Sequence, residues 1–171
     1  MTKLLSIASL AAWEASFEAD PATGLLYKKT SKGLVITGYV PKDGRPIVNC
    51  FNGSVCRVHR VNWLLWTGEE PNLLDHINGD KLDNRLSNLR VASTNQNCFN
   101  TILRKDNTTG YKGVFEVWNL YSKAPKYGAR VTAYGKNYNL GCFNTAEEAN
   151  EACKTKRREL HTNFYNDGRK D

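Results

Sequence analysis

The sequence predicts an α+β fold made of two parts. The first observation is a series of short strand-like runs, separated by turn signals, in the first half of the chain. The second is a polar cluster that lies between two short apolar runs and is followed by a helix signal. The third is a set of three strand-like runs ahead of one helix near the C-terminus. Strands grouped ahead of a helix favour an α+β architecture.

The chain opens with a predicted amphipathic helix over residues 1–13. Its apolar residues at helical spacing are Leu4, Ile7, Ala8 and Ala11. A Lys followed by a short apolar stretch also imitates a signal peptide, but Ser6 and Ser9 interrupt that stretch. The sequence therefore favours the helix over secretion.

Short strands and a second helix follow this start. Strands are predicted over residues 25–28, 35–40, 46–51 and 55–59. Asn52-Gly53 predicts a hairpin between the last two strands, because both residues tolerate positive φ. A helix is predicted over residues 59–67 and ends at Gly68.

A polar cluster then lies between two short strands. The first of these strands ends at Asp75-His76, and the second covers residues 89–92. Ser93 or Thr94 can cap the helix that follows, which carries Asn97. This arrangement would place an acid and an imidazole side by side at the mouth of a loop.

The C-terminal part is predicted as a strand–strand–strand–helix unit. A polar stretch over residues 104–110 forms a plausible linker. The predicted strands are residues 111–118, 127–133 and 137–143. Asn144 or Thr145 caps the helix, with Glu147 or Glu148 reaching back. We therefore predict two domains, residues 1–104 and 105–171.

The composition argues against several classes of protein. The 171 residues suit one domain or two small ones, and 40% of them are hydrophobic, which is enough to bury a core. No apolar run approaches the ~20 residues of a transmembrane helix. No repeat recurs at a period of about 20–50 residues. An integral membrane protein, a solenoid and a wholly disordered chain are all disfavoured.

The surplus of positive charge favours a polyanionic partner. The chain has 24 Lys and Arg against 17 Asp and Glu, a formal net charge of +7. Residues 1–106 hold 13 basic and 10 acidic residues, whereas residues 107–171 hold 11 and 7. The shorter C-terminal part is the denser positive region, so it is the better candidate for contact with a nucleic acid backbone.

The cysteines predict neither a zinc ribbon nor a dense disulfide framework. Their number is odd and none forms C-x-x-C. The five are Cys50, Cys56, Cys98, Cys142 and Cys153. We predict reduced, mostly structural thiols in a cytosolic protein.

The polar cluster has the residues that phosphodiester hydrolysis requires. A histidine side chain in general titrates near neutrality, so His76 can serve as general base toward water. Asp75 and an amide oxygen of Asn97 can hold one hard divalent cation, Mg²⁺ or alternatively Mn²⁺. Asn88 can hold His76 in one orientation by a hydrogen bond.

These residues resemble the HNH endonuclease family, and in particular its small phage and mobile-intron members. The resemblance rests on His59-Arg60, Asp75-His76-Ile77-Asn78-Gly79-Asp80, Asn84-Arg85, Asn88-Leu89-Arg90 and Gln96-Asn97. It implies a ββα-metal core, with Asp75 and Asn97 as metal ligands, His76 as general base and Asn88 as the central asparagine. Asn97 stands where the family often has His, and Asn95 and Asn100 are the alternative ligands. His59 is expected in packing or behind the site rather than in ligation.

The C-terminal unit resembles an AP2 domain, a three-stranded sheet packed on a helix. The resemblance rests on Gly110-Tyr111-Lys112-Gly113-Val114, Tyr127-Gly128-Ala129-Arg130-Val131 and the run from Leu140 to Ala149. It implies that the sheet binds DNA. The strand residues at matching positions are Lys112, Arg130, Thr132, Asn137 and Asn139.

Two arginines are candidate phosphate contacts near the nuclease site. They are Arg60 and Arg90. The alternative for each is a solvated face or a salt bridge to Asp80 or Asp83. Trp63, Trp66, Phe115, Trp118 and Phe143 are expected in the core, and the basic run at residues 154–158 on a solvated helix face.

Taken with the resemblance, the sequence predicts a metal-dependent DNA endonuclease of the homing type that leaves 5′-phosphate and 3′-hydroxyl ends. The expected partner is double-stranded DNA, with no membrane and no small-molecule cofactor. A monomer is favoured over a dimer, and nicking over double-strand cleavage. If the gene belongs to a phage, the expected location is the host-cell cytoplasm. The alternatives are a DNA-binding or regulatory protein that has lost catalysis, and an RNA-directed nuclease.

Overall fold

The computed structural model describes residues 8–51, 53, 55–101, 103–118 and 124–167. These residues form a mixed fold of small antiparallel sheets and four α-helices. The chain divides into two compact units, which we call the first unit (residues 1–92) and the second unit (residues 93–171). None of the described helices is long and apolar enough to cross a membrane.

The first unit contains two helices and seven short strands among its described residues. The helices are α1 (Leu10–Ser16) and α2 (Val58–Thr67). The strands are β1 (Phe17–Ala19), β2 (Leu26–Thr30), β3 (Gly33–Thr37), β4 (Ile47–Asn49), β5 (Val55–Arg57), β6 (Leu74–His76) and β7 (Leu89–Val91). They pair antiparallel as a sheet in the order β1-β2-β3 and as the hairpins β4-β5 and β6-β7.

Helix α1 begins later in the chain than the sequence predicts. Ser9 is its N-cap, and the Ser9 hydroxyl accepts a hydrogen bond from the Ala12 backbone N–H. The helix runs on to Ser16 and buries Trp13. Ala11 is part of it, whereas Leu4 and Ile7 lie outside the described residues. Strand β1 follows at once and is an element that the sequence pattern does not predict.

One apolar core holds the first unit together. Seven buried side chains from α1, β1, β2, β4 and α2 form it: Trp13, Phe17, Leu26, Val48, Val58, Val61 and Leu64. Helix α2 contributes three of them, because its apolar residues recur at helical spacing. The predicted helix over residues 59–67 is therefore confirmed, and it ends at Gly68 as expected.

A disulfide joins Cys50, which follows β4, to Cys56 in the middle of β5. The prediction of five reduced thiols is wrong for this pair. The spacing contains no C-x-x-C, but the antiparallel turn brings the two cysteines together. Cys98, Cys142 and Cys153 are free, as predicted. The predicted hairpin glycine, Gly53, has a φ of 75°, and Asn52 lies outside the described residues.

The second unit is a three-stranded sheet with a long helix on one face. Its described elements are α3 (Thr94–Phe99), β8 (Val114–Val117), β9 (Lys126–Ala133), β10 (Lys136–Phe143) and α4 (Ala146–His161). The antiparallel sheet has the order β10-β9-β8. Thr145 caps α4, and the core side chains are Val114, Ala129, Val131, Ala149 and Cys153. The predicted strand–strand–strand–helix order is thus present.

Helix α3 packs with the second unit. The Phe99 ring stacks on the His161 ring with centroids 3.9 Å apart. The Lys112 ammonium donates hydrogen bonds to the carbonyls of Phe99 and Thr101, at 2.8 and 2.7 Å. The compact units therefore divide after Ala92, before α3, whereas the predicted domain boundary follows Arg104.

Candidate active site

Strand β6 places an acid and an imidazole next to each other at its end. Asp75 and His76 are its last two residues, and β7 runs antiparallel beside them. Asp75 is 6% exposed, whereas His76 is only half-buried. The sequence pattern correctly predicts this strand end.

The carboxylate of Asp75 forms an ion pair with Arg90 directly across the hairpin. The register pairs the two residues, and Oδ2 of Asp75 accepts hydrogen bonds from Nε and Nη2 of Arg90 at 2.9 and 2.8 Å. The arginine side chain is itself 17% exposed. This corrects the proposed alternative partners of Arg90, Asp80 and Asp83. A guanidinium in this position neutralises the buried carboxylate.

The imidazole of His76 contacts a residue other than the predicted one. Its Nε2 lies 3.0 Å from Oδ1 of Asn84, which is 4% exposed. The His59 ring packs edge-to-face against the His76 ring, with centroids 5.1 Å apart. Burial, together with the positive charges of His76 and Arg60, lowers the pKa of His59 to about 3. His59 is therefore a neutral packing partner, in line with the expected packing role.

Asn88 stabilises the loop that follows β6 through side-chain hydrogen bonds. Its Oδ1 accepts a hydrogen bond from the Asn78 backbone N–H at 3.0 Å. Its Nδ2 donates to the Asn78 side chain and to the Asp83 carbonyl, at 2.9 and 2.8 Å. The sequence predicts Asn88 as the partner of His76, whereas the structure gives that contact to Asn84. The reason is that the 3₁₀ turn Leu86–Asn88 directs the Asn88 side chain toward the loop backbone.

Arg60 is buried rather than available to a phosphate. It is 6% exposed, and its Nη2 donates to Glu70 Oε1 at 3.0 Å and to the Pro71 carbonyl at 2.9 Å. Its Nη1 donates to the Asn72 carbonyl at 3.3 Å. This geometry does not support Arg60 as a phosphate contact. The acidic partner of Arg60 is Glu70, whereas the sequence offered Asp80 or Asp83. Arg60 instead ties α2 to the segment that leads into β6.

The oxygen donors of the predicted metal site fit a hard cation chemically. Among the described residues, no group of three or more His, Cys, Asp or Glu side chains is arranged for a metal. A Mg²⁺ ion keeps several waters and binds through one or two protein carboxylates. A carboxylate and a side-chain amide oxygen, the predicted donors, are of the class that suits such an ion.

The three candidate amide ligands differ in their surroundings on α3 and at its end. Asn97 is half-buried and Asn95 is exposed. Asn100 is 6% exposed, and its Oδ1 accepts a hydrogen bond from Asn166 at 2.9 Å. Asn100 is therefore the least suitable of the three, because its side-chain oxygen already has a partner.

Comparisons with known proteins identify the family. A family model described as HNH endonuclease matches residues 56–98, a segment that runs from β5 to α3 and contains Asp75 and His76. Protein 3.8 of Escherichia phage T7 is 34% identical over 110 residues, which cover 63% of this chain and 87% of that protein. The chain belongs to the HNH endonuclease family. It is therefore a nuclease.

Two further proteins resemble this HNH endonuclease over part of their length. An uncharacterized HNH endonuclease of Acanthamoeba polyphaga mimivirus is 30% identical over 129 residues, 74% of this chain and 63% of that protein. A solved structure of DNA binding and cleavage by the HNH homing endonuclease I-HmuI has 26% sequence identity and a TM-score of 0.44. That match covers 53% of this chain and 54% of the I-HmuI chain.

The second unit of this HNH endonuclease exposes four of the five side chains that the AP2 resemblance implies as DNA contacts. Arg130, Thr132, Asn137 and Asn139 are exposed on β9 and β10. The strand register pairs Arg130 with Asn139 and Thr132 with Asn137. Oγ1 of Thr132 donates to Oδ1 of Asn137 at 2.6 Å. These four side chains therefore form one polar patch, which we call the sheet patch.

An aromatic side chain extends the sheet patch. Phe115 is 42% exposed, and the Arg130 guanidinium lies 5.4 Å from the centroid of its ring. The ring covers Gly128, whose missing side chain leaves room for it. Trp118 is 67% exposed. The prediction that Phe115 is a core residue is wrong, because α4 covers the opposite face of the sheet. The same prediction is wrong for Trp118, which follows the last residue of β8.

Lys112, the fifth residue that the AP2 resemblance implies as a DNA contact, forms hydrogen bonds within the second unit. Its two hydrogen bonds to the carbonyls of Phe99 and Thr101 satisfy the end of α3. Burial, and secondly the charge of Arg157, lowers the pKa of Lys112 to about 8. The Lys112 ammonium is thus bound to backbone carbonyls, and a DNA contact at this residue stays a prediction. Arg157 is also buried, at 2% exposure, although its sequence context predicts a solvated face.

The sequence motif contains Asn84, but the resemblance gives this residue no role at the site. The signal that could have identified it is the spacing of eight residues from His76, which a tight loop closes. A second signal is that the loop contains several amide side chains, any of which can accept from an imidazole.

Proposed function

We propose that this HNH endonuclease hydrolyses phosphodiester bonds in double-stranded DNA, with His76 as general base and one divalent cation bound by Asp75 and Asn97. One active site per chain favours nicking of a single strand by a monomer. The viral origin of its relatives favours action in the cytoplasm of an infected host cell.

The observation that carries this proposal is the end of β6. A half-buried imidazole and a buried carboxylate stand on neighbouring residues, and a hydrogen-bonded loop follows them. A neutral imidazole in contact with solvent can accept a proton near neutral pH. A carboxylate beside it can share a hard cation with an amide oxygen.

In the proposed reaction, His76 takes a proton from the water that attacks the scissile phosphorus. The bond between phosphorus and the 3′-oxygen breaks, which leaves a 5′-phosphate and a 3′-hydroxyl. Asn88 keeps the loop after β6 in one conformation through its contacts to Asn78 and Asp83. A divalent cation on Asp75 and Asn97 would stabilise the negative charge that develops on the phosphate and on the departing oxygen.

DNA affinity is proposed to come mainly from the second unit, whose strand order supports an AP2-like role. The sheet patch offers a cation, a hydroxyl and two amides on one exposed surface. Such groups can bind phosphate oxygens and base edges.

A supercoiled-plasmid assay with Mg²⁺, Mn²⁺ and EDTA tests this function. We expect open circle to accumulate with either metal and not with EDTA. His76→Ala should lower the rate by about 10²- to 10⁴-fold, the usual contribution of a general base. The matched control is Lys81→Ala, an exposed residue of the same loop, which should cut like the wild type.

Loss of cutting in both variants would contradict a specific role for His76. A linear product formed without an open-circle intermediate would contradict single-strand nicking. Cutting in EDTA would contradict the cation.

The contact between Arg90 and Asp75 supports a second candidate, a DNA-binding protein without catalysis. An arginine that already neutralises the carboxylate competes with a cation for the same oxygen atom, Oδ2 of Asp75. Arg90→Gln separates the two functions. A nuclease should keep or gain metal-dependent nicking in this variant. A binding protein should show only a salt-sensitive band shift with the wild type and with the variant.

A further inference from the structure

The orientation of His76 depends on Asn84, a residue of the sequence motif to which the resemblance assigns no role at the site. Asn84 lies eight residues beyond His76, on the far side of the loop, and its Oδ1 is 3.0 Å from Nε2 of the imidazole. A side-chain amide oxygen accepts hydrogen bonds and cannot donate them. The nitrogen that faces it must therefore carry the proton of the imidazole.

We infer that Asn84 is the positioning residue of this site, because it holds His76 as the tautomer protonated on Nε2 and so makes Nδ1 the basic nitrogen. A neutral imidazole has one protonated and one basic nitrogen. Only the basic nitrogen can take a proton from water. This inference rests on the proposed role of His76 as general base.

The position of Asn84 is determined by buried contacts. The residue is 4% exposed, so its amide has little freedom to turn toward solvent. The backbone of Asn84 and Arg85 lies against Gly24, where a Cβ atom would come within 2.5 Å of the Arg85 amide nitrogen. No residue other than glycine fits there without moving the loop. The turn that contains Gly24 therefore presses against the backbone that carries Asn84.

The same turn is anchored to the core of the first unit. Asn62 on α2 is fully buried, and its Nδ2 donates to the Gly24 carbonyl at 2.8 Å. The Leu86 backbone N–H donates to the Pro21 carbonyl at 3.1 Å, which fixes the loop to the turn at a second point. The support of the imidazole thus runs from α2 through the turn to Asn84.

His59 restricts the ring from another direction. Its ring packs edge-to-face on that of His76, at an interplanar angle of 71°. A ring in such a contact resists rotation about its side-chain bonds. The hydrogen bond from Nε2 and the contact with His59 together define the direction in which Nδ1 points.

Nuclear magnetic resonance of ¹⁵N-histidine-labelled full-length protein tests the inference without any cleavage assay. At a pH where His76 is neutral, long-range ¹H–¹⁵N correlations report which nitrogen carries the proton. We expect the Nε2–H tautomer in the wild type. The Nδ1–H tautomer, or an equal mixture of both, would overturn the inference.

Two substitutions of equal size separate positioning from a general structural effect. Asn84→Asp keeps an acceptor oxygen, so it should keep the tautomer and lose less nicking activity than Asn84→Leu. Asn84→Leu removes the acceptor, so the tautomers should mix and kcat should fall by about 10- to 100-fold with KM unchanged. Equal activity losses in the two variants, or a change in KM alone, would contradict positioning.

The two readouts keep this inference separate from the proposed function. If the wild type never cuts DNA but shows the Nε2–H tautomer, the proposed function fails and the role of Asn84 in orienting the ring stands. If the wild type cuts DNA with the other tautomer, only the present inference fails. Should Asn84→Leu not fold, the wild-type spectrum still decides.

Discussion

The buried residue His59 makes the stability of the first unit depend on pH. Burial is the main cause that lowers the pKa of His59 from 6.5 to about 3. Between these two values the unfolded chain binds a proton at this residue and the folded chain does not. Acid therefore favours the unfolded state, and the stabilisation that is complete above pH 6.5 is lost as the pH falls toward 3.

At the residue scale we predict a loss of stability in mild acid that depends on His59. Each pH unit below 6.5 should lower the free energy of unfolding by up to about 1.4 kcal/mol, or about 2 kcal/mol at pH 5. Urea unfolding of the wild type and of His59→Phe at pH 7 and pH 5 measures this change. The variant keeps a ring but cannot titrate, so its acid loss should be smaller. Equal losses in both proteins would contradict the prediction.

At the scale of elements, a turn and a loop that are distant in sequence depend on each other. The turn over residues 20–24 follows β1, and the loop over residues 77–88 follows β6. Gly24 has a φ of +74°, and its Cα faces the backbone of Asn84 and Arg85. Gly44 has nearly the same φ, +71°, but nothing lies within 4 Å of the place where its Cβ would be. Replacing either glycine by a residue with a Cβ would strain the backbone in the same way, because both have positive φ. Only at Gly24 would the added Cβ also collide with neighbouring backbone atoms.

We predict that Gly24→Ala is much more harmful than Gly44→Ala. Strain at positive φ should cost each variant about 1 kcal/mol of unfolding free energy. Gly24→Ala should lose at least about 2 kcal/mol more, because the loop must move to admit the new methyl group. Denaturant unfolding and plasmid nicking of both variants provide the measurement. Similar stabilities for the two variants would show that the loop does not rest on the turn.

At the scale of the whole molecule, positive charge is concentrated in one unit. Residues 93–171 hold 13 basic and 8 acidic residues, a net of +5, whereas residues 1–92 hold 11 and 9, a net of +2. The second unit also carries the exposed sheet patch. Backbone contacts dominate DNA affinity and depend on salt, so the charge distribution supports a separation of binding from cutting.

We predict that Arg130→Gln weakens DNA binding more than removal of another exposed arginine in the same unit. Affinity for duplex DNA should fall several-fold, and the salt dependence should lose about one phosphate contact. Arg104→Gln is the matched control, because the Arg104 side chain is 84% exposed and lies outside the sheet patch. Band shifts at several salt concentrations measure both. Equal losses would indicate that only net charge matters.

Local sequence signals predicted a large part of this fold. Helix α4 follows from its cap at Thr145 and its spacing of apolar residues, and the end of β6 follows from an apolar pair ahead of Asp75-His76. Cap, turn and periodicity signals lie within a few residues of each other, so they can be read without knowing the fold. By the same means the sequence alone determined the pair of residues at the centre of the candidate site, and the family confirmed the class of enzyme.

Only the tertiary structure decided which partners those residues have. Asn84 rather than Asn88 contacts His76, Arg90 pairs with Asp75, and Lys112 turns inward to α3. The cysteines of the β4-β5 hairpin form a disulfide. A polar side chain has many partners of suitable chemistry in the sequence, and selection among them depends on distance and burial. These quantities arise from contacts such as that of Asn62 with Gly24, 38 residues apart, which no local pattern encodes.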